Sequence, residues 1–510
     1  MSTRFAHAPV RAGQPCCARL ATLVCACAVA LLCACTVGPD YVKPPVAIPA
    51  AYKEAQADGS RWKPSMPQER APRGNWWAVF QDARLDSLEP QVELSNQTIA
   101  AAEANYRQAR ALVQATRAGY FPTVTAGAAV TRYRESANVP GHTTATIGPN
   151  NDFLLPVEVS WEVDLWGKVR RSVESSQAAA QASAADLETA RLSVQAELAS
   201  DYFQLRGVDA QRQLLEQTIV AYRTALELTR NRFDGGISSE VDVVLAETQL
   251  RTAEAEAIDL GVQRAQLEHA IATLLGKPPA EVALAVAPLD ATPPGIPSGV
   301  PSELLERRPD IASAERQMAA ANARIGVAIS AYYPSLRLTA LGGFEASSVS
   351  QWLAWPSRFW AVGPQISQTV FDGGLRGAVT DNARAAYDGT IANYRQTVLS
   401  AFQDVEDNLA ALRILADEAE VEAAAVRAAR RSVTLTTNRY EAGAANYLEV
   451  VVAQAAALNN ERTAVDIATR RMAAGVRLVK ALGGGWSVAD LPTTEEVTAR
   501  TGTGQSHAAQ

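Results

Sequence analysis

The sequence has few residues of the kinds that build an active site. It contains four histidines, which show no metal-ligand spacing, and all six cysteines lie at or before Cys35. No nucleophile constellation and no phosphate-binding glycine loop is present. The 47 basic residues, against 54 acidic residues and a net charge of −7, form no cluster dense enough to follow a phosphate backbone. These absences predict a protein that is not an enzyme, uses no cofactor or metal, forms no disulfide after Cys35 and binds no nucleic acid.

Residues 1–34 have the layout of a secretory signal peptide. Three arginines precede an apolar run from Leu20 to Leu32, and no acidic residue occurs before Asp40. The alternative, an uncleaved membrane anchor, is disfavoured because a spanning helix needs about 20 apolar residues and this run is shorter. No later apolar stretch is long enough to predict a spanning helix. The mature protein is therefore expected to be secreted.

The segment LCAC at residues 32–35 resembles the bacterial lipobox, in which a small residue precedes the cysteine that becomes the diacylated N-terminus. Cys35 follows an alanine whereas Cys33 follows a leucine, so Cys35 is the predicted lipidation site. Two acyl chains hold a protein on lipids far more firmly than one. Thr36, in place of Asp, fits the enterobacterial rule for transfer to the outer membrane. We expect a protein attached to outer membrane lipids through Cys35.

One phrase occurs twice in the chain. Residues 231–246 read NRFDGGISSEVDVVLA, and residues 438–453 read NRYEAGAANYLEVVVA. Other landmarks recur at nearly the same offset, including Tyr120-Phe121-Pro122, which returns as Tyr332-Tyr333-Pro334. The chain is therefore predicted to be two tandem copies of one structural unit. The predicted segments are a signal peptide at 1–34, a lipid-anchored Pro-rich strap at 35–83, repeat one at 84–290, repeat two at 291–486 and a flexible C-terminal tail at 487–510.

Each copy contains two runs in which apolar residues alternate with other residues. One run follows each aromatic-Pro landmark, at Val124–Val130 and Leu336–Phe344, and the other runs are Val157–Val163 and Trp360–Val370. Alternation predicts strands with one apolar face, most often the half-buried edges of a soluble sheet. In a secreted lipoprotein we favour transmembrane strands instead. Four strands cannot close a membrane barrel, which needs at least about eight, so the strands must be pooled from several chains.

Two uninterrupted helical patterns follow these strands, at Lys168–Arg232 and Leu375–Arg439. They contain no proline, and at 1.5 Å per residue each is roughly 100 Å long. In the first of them the apolar residues recur with a mean step of about 3.5, which is the period of a coiled-coil seam. Glycine-containing turns then lead to returning helices that run toward Leu275 and Leu482. The alternative, an envelope-anchored structural coiled coil, does not explain why each long helix starts directly from a strand.

Several ordered stretches resemble one family: CTVGPDYVKP, NWWAVFQDARLDSLE, WEVDLWGKVR, LLERRPDIASAERQMAAANARIGVAISAYYPSL and VFDGG. They are similar to the outer membrane factors of Gram-negative efflux systems, the TolC-like channels, in the lipoprotein branch called the NodT family. The resemblance runs from Cys35 to about Trp486. It implies a mixed α and β membrane protein, a homotrimer whose four strands per chain form a twelve-stranded transmembrane β-barrel. A periplasmic α-helical barrel is expected to continue from it.

The same resemblance implies a passive channel that exports drugs or other small toxic compounds. Its implied partners are a periplasmic membrane-fusion adaptor and an inner-membrane pump, usually of the resistance-nodulation-division type. An exit duct for a protein-secretion system is the alternative function. We expect the helical hairpin tips to contact the adaptor, because only they extend far from the membrane. The candidate contact residues are Gly235, Gly236, Ser238, Ser239, Gly443, Ala444, Ala445 and Asn446.

Acidic residues near the tips are candidates for a periplasmic gate. Related channels often carry an acid at the position of Val452, which is missing here. Glu449 and its repeat equivalent Asp242 lie one turn nearer the tips, and three copies of each would surround a narrow mouth with carboxylates. For either residue alone, the alternative role as a first-turn acid favoured by the positive end of a helix is equally compatible with the sequence, but the recurrence of the acids at matching positions favours the pore. The candidate gate residues are Asp242, Glu449, Arg232, Arg439 and Tyr440, of which the last three are candidates for closing contacts with neighbouring subunits.

Overall fold

A computed structural model describes residues 36–54, 75–136, 138, 148–296 and 301–499. The predicted signal peptide and Cys35 lie outside the described residues. All strands of the described chain belong to one antiparallel sheet. The strands are β1 Thr123–Ala126, β2 Ala129–Tyr133, β3 Asn150–Val163, β4 Ser335–Ala346 and β5 Arg358–Ser367.

Strands β1 and β2 together form one interrupted strand that pairs with β3. Ala126 pairs with Val157 and Ala129 pairs with Leu154, so the register with β3 is the same on both sides of the break. Between them, the Gly127 N–H donates to the carbonyl of Pro156 over 3.0 Å. The sheet therefore has four strand-lengths, in the order β1/β2, β3, β4, β5, as the alternation predicted. The ends of the strands differ from the predicted ends. Strand β3 starts before the predicted alternation, and β5 ends before Val370.

The two faces of the sheet differ sharply in polarity. Cross-strand pairing places Val124, Val159, Ala340 and Val362 in one row, since paired residues project from the same face. Apolar residues continue along this face, which we call the apolar face. On it Val124, Trp360, Val362 and Ile366 are exposed in the single chain. The opposite face carries a polar set: Thr123, Thr125, Glu158, Ser160, Glu162, Arg337, Thr339 and Gln365.

Helices make up most of the remaining chain. The predicted long helices are present and extend two residues beyond their predicted ends, with 67 residues each, or roughly 100 Å. No helix within the described residues combines the length and the apolarity needed to cross a membrane. A single helical turn, Leu304–Arg307, precedes α5. The helices are α1 Ala83–Ser95, α2 Gln97–Arg117, α3 Lys168–Asp234, α4 Glu240–Leu274, α5 Pro309–Ser330, α6 Leu375–Glu441, α7 Tyr447–Ala481 and α8 Thr494–Thr498.

The shorter helices stack end to end beside the long ones. Asn96, the N-cap of α2, accepts from the first turn of its own helix and donates its Nδ2 to the carbonyl of Leu274 at the end of α4 over 2.8 Å. At the other junction Arg308 donates to the carbonyl of Ala481, the last residue of α7, over 3.2 Å. Each contact satisfies a carbonyl that the helix end leaves without an intrahelical partner. As a result, α4 with α2 and α7 with α5 act as two composite helices alongside α3 and α6.

The C-terminal segment differs from the predicted flexible tail at 487–510. Residues 487–499 are described and fold against α2 and α3, with Val497 fully buried. Arg110 and Gln114 donate to the carbonyls of Ala499 and Thr498 over 2.8 and 2.5 Å. These side chains replace the hydrogen-bond partners that the end of the short helix α8 lacks, so the segment is held in place despite its weak sequence pattern.

Candidate functional site

The first hairpin tip joins α3 to α4 through a glycine turn. Gly236 has φ +74°, a left-handed conformation that costs glycine little. The N–H of Ile237 donates to the carbonyl of Arg232 over 2.8 Å, which closes the end of α3. Ser239 then caps α4, and its hydroxyl and the Asp242 carboxylate form a reciprocal capping box. The tip is therefore a hydrogen-bonded, capped turn that leaves Gly235, Gly236 and Ser239 exposed and Ser238 half-buried.

The second tip, between α6 and α7, repeats this construction. Gly443 has φ +72°, and the N–H of Ala444 donates to the carbonyl of Arg439 over 2.8 Å. Asn446 caps α7 by accepting from the Glu449 N–H over 3.1 Å. Gly443, Ala444 and Asn446 are exposed, while Ala445 is half-buried. All eight predicted contact residues thus lie in the two turns, at the ends of α3 and α6 farthest from the sheet.

The structure brings the two tips of one chain together. The guanidinium of Arg232, from the first hairpin, lies 4.7 Å from the centre of the Tyr440 ring in the second. Its Nη1 also donates to the carbonyl of Glu441 over 3.0 Å. Tyr440 packs edge-on against Tyr447 with ring centres 5.3 Å apart, and both rings are buried. Arg232 and Tyr440 therefore meet within one chain, whereas the sequence suggested contacts between subunits.

The two predicted gate acids have different partners in the structure. Asp242 accepts from the Ser239 N–H over 3.2 Å in the capping box. Glu449 forms an ion pair with Arg439 across its own hairpin at 3.0 Å. Both side chains of that pair are partly exposed, so solvent screens their attraction. The charge of Asp242 is left without a described cationic partner, while that of Glu449 is partly offset.

Two further contacts in the hairpins were not predicted. Tyr447 completes the aromatic cluster at the tips, and burial raises the pKa of its phenol to about 12, so the phenol stays neutral at physiological pH. Farther from the tips, Arg462 of α7 forms a 2.6 Å ion pair with Glu256 of α4. An aromatic pair flanking the turn at Tyr440 and Tyr447 was visible in the sequence. The Arg462–Glu256 pair had no signal in the sequence, because it joins two helices that are far apart along the chain.

At the other end of α3, residues 36–40 are fixed beneath the sheet. The Val37 N–H donates to the carbonyl of Trp166, which lies between β3 and α3, over 3.2 Å. Arg171, which is buried, forms a 2.7 Å ion pair with Asp40. Asn322 of α5 donates to the carbonyl of Pro39 over 2.9 Å. The residue that follows Cys35 is thus held at the junction between the sheet and the helices.

The chain is similar to known proteins along most of its length. A family model described as outer membrane efflux protein matches residues 88–277 and 300–484. The toluene efflux pump outer membrane protein TtgF of Pseudomonas putida is 31% identical over 468 residues, which is 90% of this chain and 96% of that protein. The antibiotic efflux pump outer membrane protein ArpC of Pseudomonas putida is 29% identical over 452 residues, 88% of this chain and 92% of that protein.

A solved structure shares the architecture described above. It is that of the outer-membrane channel OprN, which aligns with a TM-score of 0.81 at 32% sequence identity. The alignment covers 89% of this chain and 100% of that one. The likeness therefore includes the sheet, both hairpins and the stacked shorter helices together.

Proposed function

This chain belongs to the outer membrane efflux protein family, and from that membership we propose how its parts contribute to export. The protein is an outer membrane component of an efflux system and not an enzyme. Its substrates are small toxic compounds, by analogy with relatives named for toluene and antibiotic efflux. The observation that carries the assignment is one sheet with an exposed apolar face joined directly to helices of 67 residues.

Three copies of the chain close a twelve-stranded barrel. The β1/β2 and β5 edges each have a sheet neighbour on one side only within the described residues, so both can pair with another copy. Four strand-lengths per chain give twelve in a trimer, which is within the range of membrane barrels. On β3 the apolar face runs from Phe153 to Val163, about 33 Å along the strand and about 25 Å in height at a typical tilt. That height matches the apolar band of outer-membrane barrels.

The two tandem repeats supply matching halves of this assembly. Helices α3 and α6 have equal lengths, and so do α4 and α7, at 35 residues each. Both long helices begin after a left-handed glycine, Gly167 or Gly374. Such duplication places both tips of a chain at the same distance from the sheet, roughly 100 Å. The tips then form a ring at the periplasmic end of the helical barrel.

Both tips dock a periplasmic adaptor that connects the channel to an inner-membrane pump of the resistance-nodulation-division type. Small exposed residues at the turns allow another helical hairpin to approach the backbone closely. Photocrosslinkers or cysteines at Gly236 and Ala444 should give adaptor adducts in cells. Gln204, which is exposed in the middle of α3, is the matched control site. Equal adducts at Gln204, or none at the tips, would contradict docking.

The contacts between the tips keep a periplasmic gate closed. Arg232 and Tyr440 latch the two hairpins of a chain, and Asp242 and Glu449 contribute negative charge to the mouth. Glu449→Gln combined with Asp242→Asn should weaken cation selectivity in single-channel recordings while the trimer persists. Asp259→Asn, on an exposed part of α4 away from the tip, is the control. Unchanged selectivity in the double variant would contradict the gate role and leave Asp242 with its capping box and Glu449 with its Arg439 ion pair.

Cys35 anchors the mature chain in the inner leaflet of the outer membrane. Thr36 is fixed at the junction of sheet and helices, close to Gly167, so an acyl chain on the preceding residue meets lipid without stretching the strap. The sheet and the acyl chains then hold the protein in the membrane independently of each other.

Export itself is tested in cells that lack this channel. Reintroducing the chain should restore tolerance to toluene-type solvents or antibiotics and lower their accumulation, provided that the pump and adaptor are present. A chain that is inserted and abundant but restores no tolerance would contradict the assignment. Restoration without any pump would show leakage through the membrane rather than coupled efflux.

A further inference from the structure

The loop between β4 and β5 is a compact aromatic structure at the end of the sheet farthest from the helices. It contains two short 3-10 turns, Val349–Gln351 and Trp355–Ser357. The N–H of Ala354 donates to the carbonyl of Gln351 over 3.0 Å, and the hydroxyl of Ser357 donates to the same carbonyl over 2.8 Å. These bonds fix the loop without any contact to the tips or the gate. None of the functions assigned above uses it.

The loop lies on the apolar side of the sheet. Trp352 packs on Phe153 of β3 with ring centres 5.5 Å apart, and Phe153 belongs to the row of apolar-face residues. Beside it, Leu353 is 67% exposed and Trp355 is 71% exposed. Large apolar side chains held open at a barrel rim meet lipid rather than the lumen. The loop therefore extends the apolar face at its outer end.

Two arginines mark the outer boundary of the same face. Arg358, opposite Phe344 in the sheet register, has its guanidinium 3.9 Å from the centre of the Trp355 ring. Arg132 pairs in register with Asn151, two residues beyond the Val130–Phe153 pair of the apolar face. Both side chains are exposed, and neither forms an ion pair among the residues that the structure describes.

We propose that Arg358 on its Trp355 platform, together with Arg132, binds the phosphate groups of anionic lipids in the outer leaflet of the membrane. A guanidinium at the boundary of an apolar surface presents planar donors that fit phosphate, while its stem and the indole stay in the apolar layer. Stacking on Trp355 orients the guanidinium, and its edge N–H groups have no hydrogen-bond partner among the described residues. The proposal rests on the proposed function, because it requires the sheet to lie in the membrane.

The occupant is a lipid headgroup rather than a free phosphate ion. Val349, Leu353 and Trp355 are exposed in the loop that leads to Arg358, and such apolar area is stabilised when acyl chains cover it. Arg358 and Arg132 are carried by opposite edge strands of one chain, β5 and β2. In the trimeric barrel these edges adjoin across each subunit boundary. Each subunit boundary thus carries two arginines at the outer rim, Arg358 from one copy and Arg132 from the next.

The test measures how much lipid the purified trimer retains. Wild-type protein and the Arg132→Gln/Arg358→Gln variant are reconstituted into phosphatidylcholine vesicles that contain bisphosphorylated lipid A. Bound lipid A is then counted by native mass spectrometry after release into detergent. We expect the variant to bind lipid A more weakly by on the order of tenfold, the loss of charge-assisted hydrogen bonds. Dephosphorylated lipid A with the same acyl chains should bind weakly and equally to both proteins.

Several controls decide the interpretation. Arg427→Gln with Arg431→Gln removes two exposed arginines far from the sheet and should retain lipid A like the wild type. Equal retention by the wild type and the Arg132/Arg358 variant, equal binding of both lipid A forms, or displacement by excess inorganic phosphate would each overturn the proposal. Conductance in neutral planar bilayers should be the same for wild type and variant. If the wild-type protein does not conduct, the proposed channel function is contradicted. This outcome is independent of the lipid A measurement.

Discussion

Glu89 should make the protein less stable as pH rises. Its side chain, in α1, is fully buried, and neither carboxylate oxygen has a hydrogen-bond partner in the part of the chain that the structure describes. Burial is the cause that raises the pKa of this carboxyl to about 9 from an ordinary 4.5. The folded protein therefore keeps a proton that the unfolded chain loses above its ordinary pKa. Stability from this group is fully present below about pH 4.5 and declines as pH rises to about 9.

The size of the effect follows from that shift. Between the two pKa values, each pH unit lowers the free energy of unfolding by about 1.4 kcal/mol, so pH 6 to 8 removes about 3 kcal/mol. The loss cannot exceed the free energy of detaching α1 locally from α3, because local opening releases the buried carboxyl to water. We therefore expect α1 to open first at alkaline pH while the long hairpins stay folded.

Hydrogen exchange of α1 peptides, corrected for the intrinsic pH dependence of exchange, measures this opening. In wild type, protection of α1 should fall from pH 6 to pH 8, and Glu89→Gln should flatten that slope because it removes the ionisable group. Asp86→Asn, an exposed acid on the same helix, should keep the wild-type slope. A slope that Glu89→Gln leaves unchanged would refute the reasoning. The amide of the Glu89→Gln variant has its own cost of burial, but this cost does not change with pH and therefore does not affect the slope of protection against pH.

Three further results are expected. Gly207→Val should lower the melting temperature, at a cost of about 1–3 kcal/mol, because Thr469 of α7 occupies the space that a side chain needs; pairing it with Thr469→Ala should recover part of the loss, and an unaltered temperature would contradict the close packing. Asp209→Asn should cost about 3–5 kcal/mol in thermal melts, because a carboxylate with 1% exposure then no longer neutralises two adjacent arginines; a loss below about 1 kcal/mol would contradict this. Mass spectrometry should find the mature N-terminus at diacylated Cys35, with Cys35→Ser losing the acyl mass while staying in the membrane fraction; cleavage elsewhere would refute the assignment.

The long-range plan of the chain was readable from the sequence because it follows from periodicity. An unbroken helical pattern after Lys168, with no proline, predicted α3 almost to its last residue. Alternation predicted which residues share the apolar face of the sheet, since side chains on a strand point alternately to its two faces. The strands lead directly into the long helices, which a structural coiled coil alone does not explain.

Contacts between distant segments were not readable in the same way. The interaction of Asn96 with Leu274, and that of Arg110 with Ala499, depend on where helix ends meet, and no periodic pattern records this. At the tips, the acid at Glu449 was visible, but its pairing with Arg439 needed the geometry of the turn. The unpartnered carboxyl of Glu89 was hidden for the same reason, because burial is a property of the packed helices.

The central claim, that three copies pool their strands into one barrel, is tested by joining the two sheet edges between copies. In a Cys35→Ser background, a cysteine at Thr125 of β1 is combined in turn with one at Gly363, Gln365 or Ser367 of β5, all on the polar face. Oxidation of the membrane-embedded protein should give, for at least one pairing, a covalent ring with the mass of three chains. A product that stops at two chains, grows beyond three, or forms at no pairing would contradict the account.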